Sequence, residues 1–121
     1  MSARDDICNL IAAYCQAIDD GRADDVTALF CAEGTVEIPG MGTHTGHDAL
    51  RAAYEGWKPR GPQRHVVVNT NVNGDRAVSD LLFLVMGEKG WRIQMVGRYD
   101  DEFCTHNGDL RFHRRAASFV S

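Results

Sequence analysis

The sequence predicts an α+β domain, with helices leading the chain and an antiparallel sheet following them. Three observations carry that expectation. Ile7, Leu10, Ile11, Tyr14, Ala17 and Ile18 recur at the i, i+3, i+4, i+7 spacing of an amphipathic helix. Asn73-Gly74 and Asn107-Gly108 are strong hairpin-turn signals. Between them Trp91, Ile93, Met95, Gly97 and Tyr99 alternate with Arg92, Gln94, Val96 and Arg98, the pattern of a strand with one buried face. A chain of 121 residues supports one hydrophobic core, so residues 1–121 are read as a single domain.

The first helix is expected over residues 3–20, stopped by Asp19-Asp20-Gly21. Ala23 to Phe30 reads as a short second helix, opened by Asp24 and Asp25, whose charges suit a helix N-terminus. From Gly34 the pattern changes. Thr35 to Ile38 is a short strand closed by Pro39-Gly40, and Met41 to Thr45 adds a brief extended piece. Thr45 and Asp48 form a capping box for a third helix, whose apolar face holds Leu50, Ala53, Tyr54 and Trp57. Pro59, Gly61 and Pro62 end that helix, and four antiparallel strands follow at about 63–72, 76–86, 91–105 and 109–120.

Thirteen Lys and Arg against seventeen Asp and Glu give a formal charge of −4, which argues against nucleic acid as a partner. The N-terminus has acidic residues where a secretory signal places its apolar stretch, and the longest strongly apolar run is Leu81 to Met86. A cytoplasmic protein with no membrane partner is expected. Cys8, Cys15, Cys31 and Cys104 show no CxxC pair and no zinc-ligand spacing, and are read as reduced thiols.

A sheet curling around a long helix encloses a concave space, the usual place for a small-molecule site. Helical phase puts Asp19 at the edge of the buried stripe and Asp20 on the far face, while Tyr14 lies within the stripe. Alternation groups His65 with Val67, Asn69 and Asn71, and leaves Val66, Val68, Thr70 and Val72 on the other face. On the last strand Arg115 shares a face with Arg111, His113, Ala117 and Phe119, or else pairs with a carboxylate such as Asp80 or Asp101. His44 and His47 lack the carboxylate or thiol spacing of a metal site, so no metal is expected and no other cofactor is called for. The Arg111, Arg114 and Arg115 cluster divides between two faces and reads mainly as solvated charge.

These residues sit in segments that resemble the NTF2-like superfamily and, within it, the SnoaL-like group that includes scytalone dehydratase, hexachlorocyclohexane dehydrochlorinase and bile-acid 7α-dehydratase. The segments are YCQAIDDG from Tyr14, GTHTGHDAL from Gly42, HVVVN from His65, GRYDD from Gly97 and RFHRR from Arg111. The resemblance implies a cone-shaped, cystatin-like barrel of three helices on a curved, mostly antiparallel sheet. It also implies an Asp and His dyad in the cavity, matched by Asp19 and His65, accompanied by a tyrosine and an arginine, matched by Tyr14 and Arg115. Two departures stand out: Leu110 where many relatives carry Trp, and an end at Ser121 where several trimeric members continue into a covering tail.

The dyad has its own physical logic, since a neutral imidazole removes a proton beside a carbonyl while a carboxylate on its other nitrogen fixes the tautomer. Tyr14 would donate to the substrate carbonyl, and Arg115 would hold an anionic leaving group or enolate oxygen. The expected activity is a cofactor-free dehydration, elimination or isomerisation of a small hydrophobic molecule. The alternatives are a polyketide-cyclase-like enzyme using Asp19 on a larger aromatic substrate, and a non-catalytic small-molecule binder. Apolar residues on both faces of Leu81 to Val85 call for cover on the outer face, so a homo-oligomer is expected, a dimer through that face or a trimer.

Overall fold

The computed structural model describes residues 3–120. Its elements are α1 (Ala3–Asp19), α2 (Ala23–Ala28), β1 (Phe30–Ile38), β2 (Gly42–Thr45), α3 (His47–Gly56), β3 (Gln63–Asn73), β4 (Arg76–Gly87), β5 (Gly90–His106) and β6 (Asp109–Phe119). The six strands form one sheet in the order β2-β1-β6-β5-β4-β3, antiparallel throughout except for the parallel β1–β6 pair. This is the expected α+β architecture, with three helices on a mixed sheet. No helix among the described residues is long and apolar enough to cross a membrane.

The six residues of the predicted stripe are the buried residues of α1. The helix ends where Gly21 takes φ 72°, its N–H donating to the Ile18 carbonyl while Arg22 N–H donates to Ala17. That double bond is the Schellman stop a left-handed glycine permits. At the β5–β6 hairpin Asn107 and Gly108 both take positive φ, as a type I′ turn requires. At the β3–β4 hairpin Asn73 pairs with Arg76, so the turn residues are Gly74 and Asp75, one place later than Asn73-Gly74; Gly74 alone has positive φ.

Three local expectations are corrected. α2 stops at Ala28, and β1 begins at Phe30 because Phe30 pairs with Phe112 well before the Thr35 stretch. The capping box does not form. Thr45 Oγ1 is engaged with Thr35 Oγ1 across the β1–β2 pair at 2.9 Å, and Gly46, at φ 86°, precedes α3 without a side-chain cap. Finally, Cys31 and Cys104 are joined as a disulfide, with Cα atoms 6.6 Å apart, while Cys8 and Cys15 are free thiols.

Bulges reset the strand phase in three places. Asn69 and Thr70 together oppose the stretch at Ser79, so Val72 packs on the core side while Asn71, opposite Val78, turns away. In β5, Gln94 is the extra residue between the pairs Phe83–Met95 and Leu84–Ile93. Met95, Gly97 and Tyr99 keep the inner face, but Trp91 and Ile93 turn outward. In β6, His113 is extra between Phe103–Phe112 and Glu102–Arg114. Without it, Phe112 and Arg115, three apart, would lie on opposite faces; with it, both are fully buried and His113 is exposed. The predicted grouping of Arg115 with Arg111 and His113 therefore fails at the bulge.

Candidate active site

α1 delivers Asp19 in its last turn, and β3 delivers His65 near the start of an edge strand. The carboxylate receives three hydrogen bonds from β3. Its Oδ2 accepts the His65 backbone N–H at 2.8 Å, and its Oδ1 accepts Gln63 Nε2 at 3.1 Å and faces His65 Nδ1 at 2.6 Å. Burial pushes the Asp19 carboxyl up, but the His65 ring and backbone bonds, with the one from Gln63, outweigh it and hold the group below its ordinary value. An ionised Asp19 has no proton to give, so the hydrogen of the 2.6 Å contact sits on Nδ1. In the neutral ring Nε2 then carries the free lone pair. The Phe83 ring, directly across the ladder, lies against the imidazole with centroids 4.6 Å apart and fixes its plane.

Asp19 and His65 are both mostly enclosed, at 5% and 12% side-chain exposure. They share the wall of a groove of about 420 Å³ between α1 and β3, with Ile11, Cys15, Arg64 and Val67 among its other lining residues. Its size falls within the range of small-molecule pockets. Burial raises the Cys15 thiol to about 11, so at neutral pH it is a thiol and not a nucleophile.

Tyr14 and Arg115 lie elsewhere. Both are fully buried, and neither lines the groove. Tyr14 OH meets Tyr54 OH at 2.8 Å. The Arg115 guanidinium carbon sits 4.2 Å from the Tyr14 ring centre, 3.5 Å from Tyr99 and 4.7 Å from Phe112, a cation enclosed by aromatic faces. Its Nε is 3.2 Å from Asp101 Oδ1, the carboxylate opposite it in the β5–β6 register. The pairing anticipated with Asp80 or Asp101 is with Asp101; Asp80 is taken by Arg98 and Asn69. Among the described residues none offers an aligned hydrogen bond to the guanidinium nitrogens or to the Asp101 oxygens. Burial pushes Asp101 up to about 6 against the pull of Arg115, and burial holds Tyr14, Tyr54 and Tyr99 as neutral hydroxyls.

Sequence reasoning missed Gln63, Phe83 and Tyr99 as parts of these two clusters, and reached Asp101 only as one of two carboxylates open to Arg115. Gln63 was within reach, because it stands two residues before His65 on the same face of one strand. Asp101 and Tyr99 extend the inner alternation of β5 in the same way. His44 and His47 each direct Nε2 at a backbone carbonyl, Met41 at 2.8 Å and Phe30 at 2.9 Å.

A family model described as the SnoaL-like domain matches residues 1–116. Among solved structures, a protein of unknown function from Mycobacterium tuberculosis superimposes with a TM-score of 0.84 at 24% identity, covering 95% of this chain and 70% of that one. An NTF2-like protein with a cystatin-like fold from Novosphingobium aromaticivorans gives 0.83 at 21% identity, covering 98% and 82%. ActVI-ORFA from Streptomyces coelicolor gives 0.84 at 17% identity, covering 96% of each chain. None of the curated proteins matches the chain. At these identities the structural likeness establishes the cystatin-like fold.

Proposed function

Because this chain belongs to the SnoaL-like domain family, in a fold that hosts many chemistries, we propose a function from its own side chains: an enzyme that removes a carbon-bound proton from a small hydrophobic molecule. His65 is the general base and Asp19 its orienting partner. The observation that carries the reading is the 2.6 Å contact between Asp19 and His65 Nδ1 on the wall of an open groove. It leaves Nε2 as the basic atom. As Nε2 takes the proton, the imidazolium is stabilised by the carboxylate already bonded to its other nitrogen.

The carbanion or enolate so formed collapses by expelling a leaving group on the neighbouring carbon, or takes a proton back at another position, giving elimination or isomerisation. Cyclisation is the same first step with the carbanion captured by a carbonyl of the same molecule. Arg115 and Tyr14 take no direct part in this reading, since neither lines the groove and the guanidinium faces the Asp101 carboxylate at 3.2 Å. This reading calls on no cofactor.

The test is a panel of β-hydroxy and β-halo carbonyl compounds, assayed for loss of the leaving group and for exchange of the carbon-bound proton with solvent deuterium. Turnover of one panel member by the native chain, reduced about a hundredfold or more in His65→Ala and in Asp19→Asn, is the expected result. Unchanged turnover in both variants sinks the mechanism. Binding of a panel member without exchange or turnover replaces it with the ligand-binding reading.

A further inference from the structure

We propose that the end of the sheet's inner face beyond the dyad is a second ligand site, one that takes an aromatic carboxylate. A cavity of about 480 Å³ opens there, and it shares no lining residue with the groove between α1 and β3. Trp57, Pro62, Phe83 and Val85 give it apolar walls, and Lys58 and Arg60 stand among them. Its volume falls within the range of small-molecule pockets.

The walls are set before any ligand arrives. Trp57 closes α3, and its indole makes T-shaped contacts with Tyr54 at 5.1 Å and His44 at 5.4 Å between ring centres. Pro59 and Pro62 fix φ in the segment that returns from α3 to β3. The Pro62 carbonyl accepts the Met86 N–H at 3.1 Å, which ties that segment to β4. From the sheet, Val85 stands opposite Gln63 in the ladder, as Phe83 stands opposite His65. Side chains already held in place lose little freedom when a ligand packs on them. Indole and phenyl walls favour a ligand that is itself a ring.

Charge supplies the other half of the ligand. The chain carries −4 overall, yet no Asp or Glu among the described residues lines this cavity. Glu55 takes Lys58 at 2.9 Å. Arg60 has neither an ion pair nor a hydrogen bond among the described residues, and a guanidinium offers the paired N–H donors that match a carboxylate. A planar apolar body ending in a carboxylate is the complement of these walls. The groove at the dyad is of another kind, since Asp19 and Asp20 line it and no Phe, Tyr or Trp does.

Gln63 and Phe83, both on the wall of this cavity, are also the side chains that touch Asp19 and His65. A ligand seated here lies one side chain away from the dyad. The inference concerns binding, and it stands whether or not the dyad turns over a substrate.

The probe is 2-naphthoate, titrated into the full chain and followed by NMR at its two indole N–H signals, Trp57 at the cavity and Trp91 on the outward side of β5. Saturable movement of the Trp57 signal while the Trp91 signal stays still is the expected result. The uncharged 2-naphthamide should bind about tenfold more weakly, the share of one charge-assisted pair. Arg60→Gln, at an exposed position, should bring the acid down to the amide and leave the amide unchanged. Arg64→Gln, which removes the cation of the groove, should change neither. Movement at Trp91 alone, equal affinity for acid and amide, or dependence on Arg64 in place of Arg60 overturns the proposal, as does the absence of saturable movement. If Arg60→Gln does not fold, the acid and the amide compared on the native chain decide the matter.

Discussion

Asp19 stands where a helix least favours a carboxylate, in the last turn of α1, where the macrodipole is negative. It is not a cap, since the helix is stopped by Gly21, and its three hydrogen bonds all come from β3. Those bonds hold the folded carboxyl below 3.8, so its contribution to stability is fully present above that unfolded value and is lost as pH falls through the folded one. Equilibrium unfolding of native chain and Asp19→Asn at stepped pH should therefore show a stability gap that is constant near neutrality and closes in acid. A gap that widens toward low pH contradicts the hydrogen-bonded carboxylate. Helical phase put Asp19 at the edge of the buried stripe, and alternation held for His65 because it lies ahead of the first bulge in its strand, but their joining as a dyad was an expectation of the family resemblance alone. Arg115 was legible as a residue but not as a location: its direction depends on one extra residue at His113, and a bulge leaves no mark in the pattern of residue types.

Elements with local causes followed the sequence, and those with tertiary causes did not. The stripe of α1 and the turn at Asn107-Gly108 are written in spacing and in φ-permissive residues. The start of β1 and the pairing of Cys31 with Cys104 depend on strands joined from opposite ends of the chain. Cys31 opens a stretch, residues 31–34, that leaves the β1–β6 ladder between the pairs Phe30–Phe112 and Thr35–Arg114, and Cys104 lies on β5 beyond β6. The bridge thus ties the irregular part of β1 over β6, closing a sequence separation of 73 residues. Cysteine spacing carries no trace of such a route. Removing it with Cys104→Ser should cost about 2–4 kcal/mol, measured by urea unfolding under oxidising conditions. The difference should vanish when both chains are unfolded in excess reductant. Equal stability of the two chains before reduction would mean that the closed loop does not constrain the unfolded state.

At the scale of the whole molecule the last strand made is a central strand of the finished sheet. β6 lies between β1 and β5, pairing in parallel with one and antiparallel with the other, and it brings Phe112 and Arg115 into the core. Phe112 meets the rings of Phe30 from β1, Phe103 from β5 and Tyr14 from α1, so the two ends of the chain share one aromatic cluster. The β1–β6 contacts span most of the sequence, and long-range pairings of this kind place their loop-closure entropy before their reward. Until β6 arrives, β1 and β2 have no sheet to join and the inner face of β5 is open to water. A chain ending at Gly108 should therefore lack a cooperative thermal transition and a near-UV aromatic signal, though residues 3–87 retain every element of α1 to β4. Adding residues 109–121 as a separate peptide should restore both, because β6 brings its own cross-strand partners and the hairpin at Asn107-Gly108 supplies only its connection. A truncated chain that melts cooperatively would show that the helices and β3 to β5 form a core without it, and that β6 is added to a structure already made.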